Sequence, residues 1–388
     1  ELLLCPNGSP YWTDKQHIRK ELVRKHALDH GVPLLYLNQV GGQDELVFDG
    51  ASFAIETGDR LVVQGKSFEP DFIVSDWQRG ENGWVCTNGR VEELTSVEEA
   101  PWRACVLGLR DYVHKNGFSH VVLGLSGGID SAVVAAMAVD AFGADKVHCI
   151  MLPYRYTSED SLRDAKDCAE RLGVRYDIVS IGNPVDEALN ELQPIFGNRP
   201  VDTAEENIQS RMRGTILMAV SNKLGSMLLT TGNKSEMGVG YATIYGDMNG
   251  GFNPLKDMFK MQVYRLAAWR NTHLPGDCLG PARDVIPQSI IDKAPSAELR
   301  PNQTDQDSLP PYPVLDDILT GIVEEELSLA EVVARGHDPA TVRRVERLLN
   351  IAEYKRRQAA PGPKITPRAF GLGRKYPITN GYKDPTIG

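Results

Sequence analysis

From Pro101 to Gly232 the sequence alternates short apolar runs with longer amphipathic ones, and this rhythm restricts the fold more than any other feature. "WRACVLGLRDYVHKNG" reads as an amphipathic helix stopped at Gly117, "HVVLGL" as a buried strand, and "DSAVVAAMAVDAFG" as a helix ending at Gly143. Strand "KVHCIML", helix "SEDSLRDAKDCAERLG" stopped at Gly173, strand "VRYDIVSI", a long helix around "AEENIQSRMRGTILMAVSNKLG" and strand "SMLLTTG" continue the series. Strands joined through crossover helices pair in parallel, so the pattern predicts an α/β fold with a doubly wound parallel sheet and helices on both faces. Residues 1–78 carry the same two signals over a shorter span: "ELLLC", an amphipathic run from Lys15 to His30, "VPLLYLNQV" and "LVFDGASFAIE". With 388 residues, one hydrophobic core is not expected. The polar, aperiodic stretch 79–100 reads as a linker between domains at 1–78 and 101–388. Near the end, Val314 to Gln358 is charged and helix-like, and the basic tail after it predicts little regular structure.

The turn after "HVVLGL" is the first candidate site. In "LGLSGGIDSA" the glycines permit a tight strand-to-helix turn, and the helix that follows presents free N–H groups and the positive end of its dipole. This is an anion cradle, with Ser126 and Ser131 as further donors. Asp130 at its rim would repel a bare phosphate, so the loop calls for a divalent cation between the two. The lysine of GxxxxGK[ST] is missing and so is the GxGxxG spacing, which argues against both common nucleotide loops. The formal net charge of -10 leaves no global basic field, which argues against a nucleic-acid or membrane partner and requires any anionic ligand to be held locally. Six scattered cysteines without CxxC or zinc spacing, and no signal-peptide pattern, predict a reducing, cytoplasmic setting.

The SGGxDS string resembles the pyrophosphate-binding loop of the N-type ATP pyrophosphatases, in which ATP adenylates a substrate oxygen, pyrophosphate leaves and an amine attacks. "ENIQSRMRG", "LTTGNKSEMGVGYATIYGDMNGGFNPLKDMFKMQVYRLA", "PSAELRPNQTDQDSLPPY" and "KITPRAFGLGRKYPITNGY" are similar, within that group, to the NAD synthetases. "PNGSPYW", "YLNQVGGQDELVFDGASF" and the linker resemble the end of the nitrilase-type glutaminase domain of the glutamine-dependent class. The resemblance implies an adenine nucleotide alpha hydrolase-like sheet joined to the C-terminal part of a nitrilase-like sandwich. It also implies amidation of deamido-NAD through its adenylate, with nitrogen from glutamine in the intact protein and from free ammonia in this chain. The assembly would be a homo-oligomer, and the small-molecule partners are ATP, Mg²⁺, deamido-NAD, and glutamine or ammonia.

By the same resemblance, Gly124, Leu125, Ser126, Gly127, Gly128, Ile129, Asp130 and Ser131 bind ATP together with Thr231 and Lys260. Asp130 and Lys260 are catalytic, and Asp130 and Glu236 hold the metal. Asn207, Arg211, Glu236 and Lys364 contact deamido-NAD. Asn207 and Arg211 share a helix face by spacing, with Arg213 nearby. Ile244 and Gly251 or Phe252 stand where ammonia-only members carry charged residues. The family's "CED"-like nucleophile context precedes "PNGSP" and is not in these residues, so upstream sequence is expected and Cys5 reads as a strand residue. Another N-type pyrophosphatase, such as a GMP synthetase, and a nucleotide-binding module without turnover are the alternative readings.

Overall fold

The computed structural model describes residues 1–81 and 83–386. In its first part, β1 (Leu3–Asn7), α1 (Lys15–His30), β2 (Leu34–Asn38), β3 (Val40–Gln43), β4 (Leu46–Asp49), β5 (Phe53–Ile55) and β6 (Leu61–Gln64) follow one another. They build a four-stranded sheet in the order β1-β2-β5-β6 and a separate β3–β4 hairpin. Only β1 and β2 are parallel. Val23 and Ala27 of α1 pack on Leu34, Phe53 and Ile55, the apolar face that the period-2 pattern provides. The segment expected to be a plain linker is partly ordered: β7 (Trp77–Gly80) and β8 (Gly83–Cys86) form a two-stranded hairpin. Its two strands are only four residues each, too short for a visible period.

The second part contains α2 (Glu99–Lys115), β9 (Val121–Gly124), α3 (Ile129–Phe142), β10 (Val147–Met151), α4 (Glu159–Leu172), β11 (Arg175–Ile178), α5 (Gly182–Phe196), α6 (Thr203–Leu224) and β12 (Met227–Leu229). The helices α7 (Lys234–Val239), α8 (Lys260–Arg270), α9 (Gln288–Asp292), α10 (Tyr312–Leu319), α11 (Leu329–Ala334), α12 (Pro339–Ile351) and α13 (Glu353–Arg356) complete it. The sheet order is β11-β10-β9-β12, and every pair is parallel, as the alternation requires. Side chains divide by parity. Val121, Leu123, Val147, Cys149 and Met151 join the core under α2, α3 and α4, whereas Val122, Ile150 and Leu228 pack with Ile181 and Val185 toward α5 and α6.

Helix α3 is buried all round apart from Asp130, which explains its run of alanine and valine between the sheet and neighbouring helices. A capping box of Asp202 and Glu205 starts α6, and Ser158 caps α4 by accepting the Ser161 N–H. A second core forms where α7 meets α10, α11 and α12, around Leu315, Ile318, Leu319, Val332 and Val345. The two parts meet where the β3–β4 hairpin lies on α2; there the Gly42 N–H donates to Asp111 Oδ2 at 2.6 Å. Among the described residues, no helix is long and apolar enough to cross a membrane.

Candidate active site

After β9 the chain builds outward through β10 and β11, then crosses to β12 on the other side of β9. Such a reversal leaves a crevice at the C-terminal ends of the strands, where ligands of open α/β sheets bind. A cavity of about 560 Å³ opens there. It is lined by Gly124, Leu125, Ser126, Gly128, Ile129, Asp130 and Ser131, and by Asn207, Thr231, Glu236 and Lys260. Of the residues expected at the site, Gly127, Arg211 and Lys364 do not line it.

The loop between β9 and α3 is held in shape by its own serines. The Ser126 N–H donates to Ser131 Oγ at 3.2 Å, Ser131 Oγ–H to the Gly128 carbonyl at 3.0 Å, and the Gly128 N–H to Ser126 Oγ at 3.3 Å. Ser131 therefore supports the loop from beneath. The first-turn N–H groups of Ile129, Asp130 and Ser131 have no intrahelical acceptor, and all three residues line the cavity. Gly127 has a structural task instead. Its φ is +79°, and a Cβ there would lie 2.4 Å from the Ser161 carbonyl oxygen at the start of α4. Left-handed backbone alone costs a non-glycine residue about 1–2 kcal/mol. Gly127→Ala is thus expected to weaken pyrophosphate binding by at least roughly tenfold in a calorimetric titration; unaltered binding would show that the loop can shift to admit a methyl group.

Across the cavity, α7 and α8 bring in the remaining charges. Asn233 caps α7, accepting the Glu236 N–H at 3.0 Å, and its Nδ2 donates to Asp130 Oδ1 at 3.1 Å. Lys260, the first residue of α8, places Nζ 2.5 Å from Asp130 Oδ2 and 3.2 Å from Glu236 Oε1. Burial pushes the Glu236 carboxyl up to about 7; Lys260 opposes this, and Asp130 and Asp305 add to it. Burial disfavours the Lys260 ammonium, but Asp130 and Glu236 outweigh it and hold it above its usual range. The Tyr312 hydroxyl donates to Asp305 Oδ2 at 2.8 Å and lies 3.5 Å from Glu236 Oε1, while Asp305 Oδ1 is buried without a partner. Thr243 Oγ1 donates to Asn207 Oδ1 at 3.0 Å, fixing the amide of Asn207.

Arg211 is exposed on α6, where its Nε donates to the Ile244 carbonyl at 3.3 Å. Lys364 lies at the junction of the two parts: its N–H donates to the Glu45 carbonyl at 2.7 Å and its ammonium sits over the Trp12 ring. Arg213, named above beside Asn207 and Arg211, lines the cavity, as do Asp247, Lys293, Glu298, Asp305 and Lys355, which were not singled out for it. Asp305 and Lys355 belong to segments with ordinary charged composition, and the place of Lys355 depends on the Gly240 and Ala242 carbonyls, 115 and 113 residues away. Burial raises Asp247 to about 6 against the Thr243 N–H and the Ser210 hydroxyl.

The description of the matching family model is NAD synthase, and it covers residues 101–359. A glutamine-dependent NAD(+) synthetase of Rhodobacter capsulatus is 54% identical over 385 residues, spanning 99% of this chain and 70% of that protein. One from Xylella fastidiosa (strain 9a5c) is 50% identical over 383 residues, 99% of this chain and 69% of its own. Among solved structures, the glutamine-dependent NAD+ synthetase from Acinetobacter baumannii in complex with adenosine diphosphate aligns with a TM-score of 0.70 at 42% identity, covering 98% of this chain and 69% of that one.

Proposed function

The chain belongs to the NAD synthase family, and from that premise we propose how its residues divide the work of amidating deamido-NAD with ATP. A carboxylate is a poor electrophile for ammonia. Its oxygen must first take the adenylyl group of ATP, with loss of pyrophosphate; ammonia then attacks the acyl carbon and AMP leaves. Both steps crowd anions together, so preorganised positive charge and N–H donors carry most of the catalysis. The free amides of Ile129, Asp130 and Ser131 at the N-terminus of α3 hold the β- and γ-phosphates. Lys260 follows the charge onto the departing pyrophosphate, as a mobile point charge can. Thr231 borders the ATP side, and Asn207 is the polar contact on α6 for deamido-NAD.

Asp130 and Glu236 suit Mg²⁺: they are hard oxygen donors, with no histidine or cysteine beside them. Among the described residues no three metal-binding side chains form a ready cage. This agrees with a metal that shares its coordination sphere with substrate phosphates. Bound there, Mg²⁺ would neutralise phosphate oxygens.

The observation that carries this reading is the convergence of Asp130, Glu236 and Lys260 above the loop, with ion-pair distances of 2.5 and 3.2 Å. The intact protein takes its nitrogen from glutamine, and residues 1–78 belong to the glutaminase domain. Among the described residues, every cysteine but Cys5 is buried. Cys105, Cys149, Cys168 and Cys278 are buried and their thiols are pushed up by that burial. Cys5 sits in β1 with its sulfur accepting from Asn7 Nδ2 at 3.1 Å. Given ATP, Mg²⁺ and deamido-NAD, this chain is expected to release AMP and form NAD with ammonium salts but not with glutamine. Xanthosine monophosphate should not replace deamido-NAD. AMP release with xanthosine monophosphate, or turnover on glutamine, would overturn the assignment of substrate or of nitrogen source respectively.

A further inference from the structure

Four cationic side chains line the cavity among the described residues: Arg213, Lys260, Lys293 and Lys355. Three are engaged by protein groups. Lys260 is held by Asp130 and Glu236, and Lys293 by Ser161 and Glu298. Lys355 donates to the carbonyls of Gly240 at 2.8 Å and Ala242 at 2.7 Å. Arg213 differs. Only its Nε is used, donating to the Leu152 carbonyl at 3.0 Å just past β10. No carboxylate among the described residues forms an ion pair with it. The acids that act on it through space, Glu298 and Asp247, make their hydrogen bonds elsewhere: Glu298 accepts from Ser158, Ser161 and Lys293, and Asp247 from Thr243 and Ser210. Burial pushes the Arg213 guanidinium down to about 10.

A partly buried guanidinium with no carboxylate in direct contact is less favourable than an ion-paired one, and such a group is suited to an anion supplied from outside. The position of Arg213 narrows which anion. The loop end of the cavity already has its donors in the amides of residues 129–131 and in Lys260. Arg213 is anchored instead at the Leu152 carbonyl, just past β10, the strand that pairs with β9. Its planar fork can bond two oxygens of one phosphate at once, which an ammonium cannot.

We propose that Arg213 is a substrate-binding residue that grips the adenylyl phosphate, the group common to ATP, the adenylated intermediate and AMP. The inference rests on the assignment of this cavity as the ATP site. With Arg213 on the adenylyl phosphate and Lys260 on the pyrophosphate, the two fragments of ATP each keep a cation when the bond between them breaks.

The test is calorimetric binding of AMP and, separately, of pyrophosphate with Mg²⁺, to the unaltered chain, Arg213→Lys and Arg213→Met. Loss of a charge-assisted pair should weaken AMP binding to Arg213→Met by about ten- to a hundredfold, with pyrophosphate binding within about twofold. Arg213→Lys should fall between. Without nucleotide, the thermal midpoint of Arg213→Met should be equal to or above that of the unaltered chain, because a partly buried charge with no direct ion pair has gone. Unchanged AMP binding, or equal weakening of both ligands with a lowered midpoint, would overturn the proposal in favour of a purely structural arginine. Failure of the unaltered chain to bind either AMP or pyrophosphate would overturn the site assignment and this inference with it.

Discussion

Asp130→Ala is expected to lower AMP formation by roughly two to three orders of magnitude while leaving the fold intact, the range seen when one preorganised electrostatic group leaves a transition state. The side chain lies in the first turn of α3, is 16% exposed, and is held toward the cavity by Asn233 Nδ2 and Lys260 Nζ. It does not cap its own helix, whose N-cap residue Gly128 contributes no side chain, so its removal spares α3. Steady-state AMP release at several Mg²⁺ concentrations, alongside a thermal melt, separates the two effects. Near-normal activity at low Mg²⁺ would show that the metal is held elsewhere.

Ten residues along the same helix, Asp140 should give the opposite outcome. Its carboxylate accepts Arg270 Nε and Nη2, both at 2.7 Å, and Trp102 Nε1 at 2.8 Å. Asp140 and Arg270 are almost wholly buried, with side-chain exposures of 1% and 0%. Asp140→Ala strands the guanidinium in the core, which costs about 3–5 kcal/mol. The thermal midpoint should fall by on the order of 10 °C. Replacing both partners together, Asp140→Leu with Arg270→Met, should recover a large part of that loss because no charge is then left unpaired. A single variant as stable as the parent would mean that solvent reaches this pair.

The contrast between the two aspartates shows how much was legible in the residues. Asp130 could be found because its neighbours are local: strand, glycine turn and helix follow within ten positions, and each step has its own sequence signature. Asp140 has no such frame, since its partners Trp102 and Arg270 lie 38 and 130 residues away. The same limit governs α6. Spacing puts Asn207 and Arg211 on one face, yet the cavity is lined by Asn207, Ser210, Arg213, Gly214 and Leu217. At about 100° per residue both stripes are acceptable helix faces, and both include Asn207. What chooses between them is the close approach at Gly214, where a Cβ would lie 2.9 Å from the carbonyl oxygens of Tyr245 and Gly246.

Lys364 and Lys355 are a second case. Both occur in the last forty residues among other basic side chains, but the chain turns between them. Lys355 faces the cavity, while Lys364 joins the first part of the molecule beside Trp12.

By itself, the sequence determined the parallel sheet and the glycine turn between β9 and α3, because hydrophobic period and turn residues act over a few positions and leave few alternatives. The tertiary structure alone decided which cations reach the cavity and that Asp305 stands behind Glu236. It also decided that Arg213, unlike Arg211, lines the cavity, with no carboxylate among the described residues in direct contact. Those outcomes depend on burial and on partners far apart in the chain, and charge becomes costly only where packing has removed water.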